Sequence, residues 1–366
     1  MAAITPFSGS YAPGDVMFLL TQIAMPDTPV SIKEALIQSG RKHYSQMLSH
    51  ESLPSDDYLA LFHQAMAANK ARVAEHVMIL AERILATRSN GITLVSLARA
   101  GTPVGVLLKR VLKRHFNTEA AHYSISIIRD VGMDLNALRY IVRHHAPETL
   151  VFVDGWTGKG VIAGQLAASL RDFALSDRVT IPAELYVLAD LSGCAAVAAS
   201  SDDYLIPSCI LNATVSGLVS RSIYDKKKLG ADDFHGCVYY GQFIAHDLSN
   251  YFVDEILAAT GHIRQEPKSS RDTGLSRHQL QHISQTLLHR IAERYSVSRQ
   301  HYIKPGIGEA TRVLLRREAR LLLLQNSESE ASLHLRWLAE SRSVPVELCN
   351  DLPYRAVALI KEMHND

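Results

Sequence analysis

The sequence predicts an α/β protein built on a mostly parallel sheet. Apolar segments rich in β-branched residues recur along the middle of the chain, as at Ile92–Leu97, Tyr123–Ile128 and Leu150–Val153. Each is followed by a short loop with glycine or charge, and then by a segment with apolar residues at helical spacing. Strands that alternate with helices imply βαβ units and a parallel sheet. Right-handed crossovers then place the loops after these strands at one edge.

Composition agrees with a packed globular protein of two or more domains. The chain has 366 residues, of which 47% are hydrophobic and 20% charged, with a formal net charge of +1. This charge predicts no general attraction to nucleic acid or membrane. No apolar run approaches the roughly 20 residues of a membrane span, and the N-terminus shows no secretory signal. The four cysteines are widely spaced without a CxxC pair, which predicts a reduced, cytoplasmic protein.

The first 88 residues are predicted to form a helical region that packs on the core. Asp15 can cap a helix over Val16–Thr21, and further helices are expected over Ser31–Gly40 and Tyr58–Arg88. Between them, Arg41–Tyr44 concentrates two cations, an imidazole and a phenol. This run is either a solvated loop or part of a site.

Two strand-loop-helix units come next. Ile92–Leu97 leads through a loop with Arg99 and Gly101 into a helix over Val104–His115, and the loop amides with Arg99 could hold an anion. Tyr123–Ile128 leads through the loop Arg129–Asp134 into a helix over residues 135–144.

The third unit, Leu150–Ile162, carries the strongest signal. Its strand ends on Asp154, a Gly/Thr loop follows, and a helix resumes at Val161. A helix N-terminus suits a phosphate, and Gly158 and Gly160 would let the backbone approach it closely. An ordinary strand-to-helix turn would look similar. The loop is too short for a Walker motif, and Gly160 stands where that motif needs Ser or Thr.

Beyond this unit we expect a strand over Glu184–Leu191, a small-residue helix over Ser192–Ser200 and a strand over Tyr204–Pro207. Two polar segments follow, Asn212–Ser222 and Asp232–Cys237. Either could be a plain loop or could line a site.

Several of these stretches together resemble a known family. LVFVDGWTGKG (150–160) is similar to the phosphoribosyl-pyrophosphate motif of type I phosphoribosyltransferases, and SLARAGT (96–102) is similar to the pyrophosphate loop of that family. SGSYAPGDVMFLL, GRKHYSQMLS, ISIIRDVGMD and NATVSGLVSRS resemble one branch, the phosphoribosyltransferase-like proteins found with tellurite-resistance genes and often labelled cysteine protease StiP. The resemblance covers roughly Phe7–Glu255. It implies a phosphoribosyltransferase-type, Rossmann-like core over residues 89–265.

The resemblance also implies a function. We expect a Mg²⁺-dependent pentosyltransferase that binds phosphoribosyl pyrophosphate, or a related ribose phosphate. It would make or break a glycosidic bond in a nucleoside-like metabolite of a stress-response pathway. The transition state would be stabilised by positioning and charge. Implied site residues are Asp154 and Arg129 for catalysis; Thr157, Gly158, Lys159, Gly160 and Val161 for the substrate phosphate; Arg99, Ala100, Gly101 and Thr102 for pyrophosphate; and Tyr44, Ser220, Arg221 and His235 for the base or acceptor.

One departure from the family pattern leaves other functions open. The wider family has two acids at the strand end, whereas here Gly155 follows Asp154. A non-catalytic sensor of a nucleotide or RNA is therefore an alternative. A thiol protease is a further one, with Cys237 and His235 as the nearest Cys–His pair, although no protease signature surrounds any cysteine.

The C-terminal part is predicted to be a separate small α/β domain. Glu266–Gly274 has a linker composition, and a connecting helix is expected over Arg277–Tyr295. Residues 266–300 would form the connection and residues 301–366 the domain. Helices are predicted over Ala310–Arg317 and residues 329–341 and 354–363, with strands over residues 319–324 and 344–348.

That C-terminal pattern resembles pelota-type domains, which are related to RNA-binding ribosomal proteins. The resemblance would explain the cations Lys304, Arg312, Arg316 and Arg317 as RNA contacts. Residues 299–366, however, hold ten Lys and Arg against nine Asp and Glu, so no basic excess supports RNA. The expected partners are the small-molecule substrate, RNA through this domain, and a second copy in a homodimer.

Overall fold

A computed structural model describes residues 7–263 and 274–362, and most of the predicted linker lies outside the described residues. Its strands are β1 (Met17–Leu19), β2 (Thr21–Gln22), β3 (Ile92–Ala98), β4 (Ala120–Ile128), β5 (Gly132–Met133), β6 (Leu150–Thr157), β7 (Leu185–Asp190), β8 (Val197–Ser200), β9 (Gly236–Cys237), β10 (Ile303–Pro305), β11 (Ala319–Leu324), β12 (Val346–Leu348) and β13 (Ala356–Ile360). Its helices are α1 (Val30–Gln38), α2 (Asp56–Thr87), α3 (Gly101–Phe116), α4 (Leu135–Val142), α5 (Val161–Asp177), α6 (Ser249–Thr260), α7 (Arg277–Arg294), α8 (Ile307–Arg316) and α9 (Leu333–Ser341).

The central sheet has the strand order β1-β4-β3-β6-β7-β8, and all these neighbours are parallel. β5 adds an antiparallel pairing to β4. The register sets Val95 of β3 against Phe152 of β6. The predicted α/β class with a mostly parallel sheet is therefore confirmed.

Helices cover both faces of this sheet, which is why its strands are apolar along their length. Val151 and Val153 of β6 point into a core that includes residues of α2 and α3. Leu150 and Phe152 point into a second core with residues of α4 and α5. Because these strands are parallel, their carboxyl ends lie at one edge of the sheet.

Two predicted helices of the core are strands in the structure. The helix predicted over Val16–Thr21 is wrong, because Met17–Leu19 form β1 and pair with β4. The helix predicted over Ser192–Ser200 is also wrong, because Val197–Ser200 form β8 on β7. Both segments are short, and pairing with an exposed sheet edge outweighs local helix propensity. The predicted strand at Tyr204–Pro207 has no strand partner in the described part of the chain.

The C-terminal part forms a second sheet in the order β10-β13-β11-β12, with α8 packed on the sheet and α9 packed on α8. The helix predicted over residues 354–363 is wrong, because Ala356–Ile360 form the inner strand β13. All five residues of this strand are buried. A short apolar run gives no periodicity that separates a buried strand from a buried helix.

The C-terminal domain docks on the core through directed contacts. Asp203 of the core accepts hydrogen bonds from the backbone N–H of Ile307 (2.9 Å) and of Arg355 (2.8 Å). Tyr354 donates to the carbonyl oxygen of Leu191 just beyond β7 (2.7 Å). These contacts hold α8 over the loops at the strand ends. No helix among the described residues is long and apolar enough to span a membrane.

Candidate functional site

A charged cavity of about 280 Å³ lies at the carboxyl ends of the strands, between the core and α8. Its walls come from the β6–α5 loop, the start of α5, the loop after β4 and the C-terminal domain. The lining residues are Tyr44, Arg129, Asp154, Trp156, Thr157, Gly158, Lys159, Gly160, Val161, Ile162, Ala163, Leu185, Lys304, Glu309, Arg312 and Arg317.

The start of α5 turns its free N–H groups towards this cavity. Gly160 precedes the helix with φ +78°, and a Cβ there would overlap the Cys194 side chain, so only glycine fits. The first helical bond within α5 runs from the N–H of Gly164 to the carbonyl of Gly160 (2.9 Å). The earlier N–H groups, including that of Ile162, therefore have no helical acceptor and give the cavity a positive end.

The loop before α5 is held by a carboxylate at the end of β7. Thr157 donates its hydroxyl hydrogen to Asp190. Asp190 also accepts from the backbone N–H of Cys194 (3.2 Å) and Ala195 (2.9 Å). Because several donors share this buried carboxylate, the two loops are fixed to each other.

Lys159 is a cavity cation whose pKa lies near neutral pH. Burial, followed by repulsion from Lys304, lowers the pKa of Lys159 to about 7. Its ammonium donates to the backbone carbonyl oxygens of Gln300 (2.7 Å) and Ile303 (2.8 Å). A core lysine thus reaches the C-terminal domain, and its charge changes near neutral pH.

The C-terminal helix α8 supplies further charge. Arg312 lies over the ring of Trp156, 4.4 Å from its centroid. The Glu309 carboxylate is 3.4 Å from the Lys304 ammonium and 3.7 Å from the Arg312 guanidinium. Burial favours the neutral form of Glu309, but Lys304, Arg312 and Lys159 outweigh it and lower its pKa.

Asp154 lies where the sequence predicts it, in the cavity wall at the end of β6. Its Oδ1 accepts from the backbone N–H of Gly155 (2.8 Å). Burial raises the pKa of Asp154 to about 6, against the opposing effect of Arg312. The carboxylate is therefore partly protonated in mildly acidic solution.

Arg129 and Tyr44 meet at the other wall. The backbone N–H of Arg129 donates to the Tyr44 hydroxyl (2.9 Å), and its Nε lies 3.0 Å from the Asp130 carboxylate. Arg221 lies over the ring of Tyr44, 5.3 Å from its centroid, and donates to the Tyr44 carbonyl (2.5 Å). Arg221 therefore positions Tyr44 and does not line the cavity.

The loop predicted to hold pyrophosphate lies beside the cavity. Arg99 donates to the carbonyl of Val219 (2.8 Å) and to the side chain of Asn212 (3.3 Å). Arg99 and Ala100 line a separate space of about 10 Å³ beyond Trp156. That space is too small for a phosphate group.

The rest of that loop is used in packing. Gly101 lies so close to the backbone of Val153 that a Cβ would overlap it. The Thr102 hydroxyl hydrogen-bonds the Ser124 hydroxyl (2.8 Å). The structure therefore places neither residue in the cavity.

The remaining residues predicted for the base pocket are also elsewhere. Ser220 donates to the carbonyl of Arg221 (2.7 Å) and accepts from the N–H of Val238 (2.9 Å). His235 lines a different cavity of about 610 Å³, and its Nδ1 shares a hydrogen with the Ser126 hydroxyl (2.8 Å). The predicted roles of these residues stay predictions, but neither residue lines the cavity that contains Lys159 and Arg312.

The cysteines differ in access. Cys209, Cys237 and Cys349 are buried, and Cys194 is partly exposed. Burial raises the pKa of Cys237 to about 12, so its thiol is neutral and the nearby His235 does not activate it. Cys194 lies against Gly160 at the start of α5 and donates its S–H to the carbonyl of Ser192 (3.4 Å).

Sequence reasoning missed the C-terminal side of the cavity. The resemblance to pelota-type domains predicts Lys304, Arg312 and Arg317 as RNA contacts, and neither they nor Glu309 are predicted for this cavity. No local pattern joins them to β6, about 150 positions earlier; only the docking of α8 does. Among the described residues, no group of three His, Cys, Asp or Glu could hold a metal. The predicted Mg²⁺ is not tested by this observation.

Two parts of the chain match known protein families. Residues 9–257 match the family described as "Tellurite-like stress resistance cysteine protease StiP". Residues 282–362 match the PELOTA RNA binding domain. The chain is also 41% identical over 368 residues to a protein of Acinetobacter baylyi named "Cysteine protease StiP", covering 98% of this chain and 95% of that protein.

These comparisons correct the predicted activity. The matching family and the relative are both named as cysteine proteases. The predicted phosphoribosyltransferase function, the assignment as a glycosyltransferase, and the expectations of transferase, phosphoribosyl-pyrophosphate and magnesium chemistry that go with it are therefore wrong by this finding. The branch, the stress-resistance context and the C-terminal domain type are confirmed. The chain belongs to the StiP family of tellurite-like stress resistance proteins and carries a C-terminal PELOTA domain.

Proposed function

We propose that the chain binds a small ligand with a dianionic, phosphate-like group in the cavity between the core and α8. One observation carries this proposal: five cationic side chains and a free helix N-terminus line a single cavity. Two carboxylates line the cavity with them, those of Asp154 and Glu309. Outside the lining, Asp130 pairs with Arg129 and Glu34 pairs with Arg317, so the cations remain in excess. Excess buried positive charge is costly unless an anion meets it.

The cavity offers complementary kinds of contact to such a group. The free N–H groups at the start of α5 can donate hydrogen bonds to an anion, which the helix dipole also favours. The planar guanidinium groups of Arg129 and Arg312 can each donate two parallel hydrogen bonds. A volume of about 280 Å³ lies near the lower end of the range for small-molecule pockets. It suits a compact charged metabolite, or the acidic group of a larger substrate.

Calorimetric titration with sulfate and pyrophosphate tests this proposal. We expect Arg312→Gln to weaken binding roughly tenfold to a hundredfold, because a charged hydrogen bond contributes about 1.5–3 kcal/mol. Arg320→Gln is the matched control, since Arg320 is exposed and donates to the carbonyl of Tyr295 on another face of the same domain. Equal affinity of wild type and Arg312→Gln, or no binding by wild type, would overturn it.

A second candidate function is hydrolysis by a thiol, as the name of the relative suggests. The observation that favours it is Cys194, the partly exposed cysteine, which lies beside the start of α5. A helix N-terminus stabilises a thiolate, and the α5 N–H groups could then stabilise the oxyanion that forms when the thiolate attacks a carbonyl. In the described part of the chain, no histidine hydrogen-bonds this thiol, so the base would be another group.

Cysteine variants separate this candidate from ligand binding alone. Hydrolysis of a casein substrate should be lost in Cys194→Ser and kept in Cys237→Ser, and iodoacetamide should modify Cys194 first. Hydrolysis that survives in Cys194→Ser removes this thiol from the mechanism. Sulfate binding is a separate measurement and does not depend on that result.

We also propose RNA as a partner of the C-terminal domain, supported by its match to an RNA-binding family. The homodimer, the cytoplasmic location, the domain boundaries and a phosphoribosyltransferase-type, Rossmann-like arrangement of the core stay predictions. Neither proposal above depends on them.

A further inference from the structure

The cations of the C-terminal domain are unevenly distributed. Residues 282–362 contain twelve Lys and Arg. Four of them form what we call the α8 face, which consists of Lys304, Arg312, Arg316 and Arg317. Arg312 and Arg316 are four positions apart on α8 and therefore share one side of that helix.

The core covers this α8 face. Arg317 donates to the buried carboxylate of Glu34 (2.7 Å), and Arg316 donates to the side chain of Asn212. Arg312 lies on Trp156. The exposed fractions of the Lys304, Arg312 and Arg317 side chains are 18%, 31% and 23%.

Two cations outside the α8 face are paired with acids of the same domain. Arg290 contacts Asp351 (2.8 Å) and Arg294 contacts Glu347 (2.7 Å), both on the surface. Each such pair presents little net charge to a phosphate backbone. The α8 face has a single acid of its own, Glu309, among four cations. This inference rests on the RNA partner proposed above. Because phosphate contacts dominate RNA affinity, we take this cluster of four cations as the RNA surface.

RNA cannot reach the α8 face while the core covers it. The cavity between them has a volume of about 280 Å³, which admits a small ligand and excludes a nucleic acid strand. Glu34 accepts a hydrogen bond from Arg317, and Asn212 accepts one from Arg316, so both side chains are directed at the core. We propose that RNA and the core are alternative partners of the α8 face, so that docking of the C-terminal domain on the core prevents RNA binding.

This competition has a quantitative consequence. If only an undocked fraction of molecules exposes the α8 face, the apparent affinity for RNA falls by that fraction. Weakening the docking from the core side should then raise RNA affinity, although no residue of the RNA-binding domain has changed. A domain that binds RNA through another face would show no such gain.

Two core substitutions loosen docking by independent means. Asp203→Asn removes one of two carboxylate acceptors for the N–H groups of Ile307 and Arg355, and Asp203 lies outside the cavity lining. Gly158→Leu adds a side chain where even a Cβ would meet Glu309 Cγ at 3.0 Å and Pro305 O at 3.2 Å. Gly164→Leu is the matched control, because a Cβ there meets nothing within 4 Å.

The experiment measures fluorescence anisotropy of a labelled 30-nucleotide random-sequence RNA with full-length protein, at fixed salt and without phosphate. We expect Asp203→Asn and Gly158→Leu each to bind about tenfold more tightly than wild type, and Gly164→Leu to equal wild type. Adding Arg312→Gln and Arg316→Gln to either docking variant should abolish the gain.

Equal RNA affinity of wild type and a folded docking variant would overturn the competition, as would a gain that survives loss of both arginines. Absence of RNA binding in every variant would overturn it as well. Circular dichroism identifies which variants are folded, and since the two substitutions act at different contacts, either one decides the question. None of these measurements includes a small anion that could bind in the cavity, so the result is independent of the small ligand proposed above.

Discussion

Sulfate should bind the cavity more weakly as the pH rises from 6 to 8. Sulfate keeps its double charge over this range, so the titrating groups belong to the protein. Lys159, with a pKa of about 7, loses its proton in this interval. A bound dianion favours the charged form of the Lys159 ammonium. Above neutral pH, the protein must therefore take up a proton when sulfate binds.

The size of the effect follows from that pKa. A group with a pKa of 7 is roughly 90% protonated at pH 6 and roughly 10% protonated at pH 8, so affinity should fall about tenfold from Lys159 alone. Asp154 ionises over the same interval, with a pKa of about 6, and its negative charge adds to the fall. The sign is the same for both groups, because each becomes less favourable to an anion at higher pH.

Calorimetry at pH 6, 7 and 8 separates the two groups. In Asp154→Asn, the affinity should still fall about tenfold. In Asp154→Asn combined with Lys159→Gln, the pH profile should be flat. Lys227→Gln, an exposed lysine outside the cavity, should follow wild type. Buffers of different ionisation enthalpy would report the proton taken up.

A pH slope that persists in the double variant would show that another group titrates. An affinity that rises with pH would refute the electrostatic reasoning for the whole cavity. Burial is the largest cause of the lowered pKa of Lys159. Lys304 and Arg129 lower this pKa further, and Glu309 opposes them. Replacing Glu309 by Gln should therefore lower the pKa of Lys159 further.

The other predictions concern the packing that supports the site. Phe152→Ala, at a fully buried position of β6, should lower the free energy of unfolding by about 3–5 kcal/mol in urea titrations; a loss below about 1 kcal/mol would contradict the assigned core. Gly160→Ala should cost roughly 1–3 kcal/mol and also weaken sulfate binding, because φ is +78° and Cys194 occupies the space; unchanged values of both would be inconsistent with the turn. Tyr58→Phe removes a buried hydrogen bond to the carbonyl of Ile210 (2.9 Å) and should cost about 1 kcal/mol in thermal unfolding.

The core could be predicted from sequence because its signals are local. Each parallel strand is a run of apolar residues, and glycine or charge marks the loop that follows, as at Asp154–Gly160. The position of this strand-to-helix turn could therefore be predicted from the hydrophobic periodicity and from the rule that ligands bind at the carboxyl ends of parallel strands. Short segments such as Met17–Leu19 and Ala356–Ile360 were mispredicted, since their conformation depends on the strands beside them.

The second wall of the cavity could not be predicted, because it depends on docking. Arg312 and Glu309 carry no signal that connects them to Asp154, and the resemblance to pelota-type domains assigned Arg312 to RNA. Arg99 shows the opposite error. Its position after β3 predicted a ligand contact, whereas Asn212 and the Val219 carbonyl bind its guanidinium. The positions of β3 and β6 were therefore predicted correctly, but not which partner the Arg99 side chain binds.

The contact between the two halves depends on a glycine in α8. A Cβ on Gly308 would lie 2.5 Å from Trp156 Cε2 and 2.8 Å from its Nε1. In an exposed helix, Gly→Ala would stabilise the protein by about 1 kcal/mol. Here the Trp156 ring is held under Arg312, so overlap should outweigh propensity and Gly308→Ala should lower the melting temperature. The substitution should also weaken sulfate binding, because displacement of α8 by the added methyl group would move Arg312 away from the cavity. A higher melting temperature with unchanged sulfate affinity would mean that the indole moves aside easily, and that the close approach of α8 does not set the cavity.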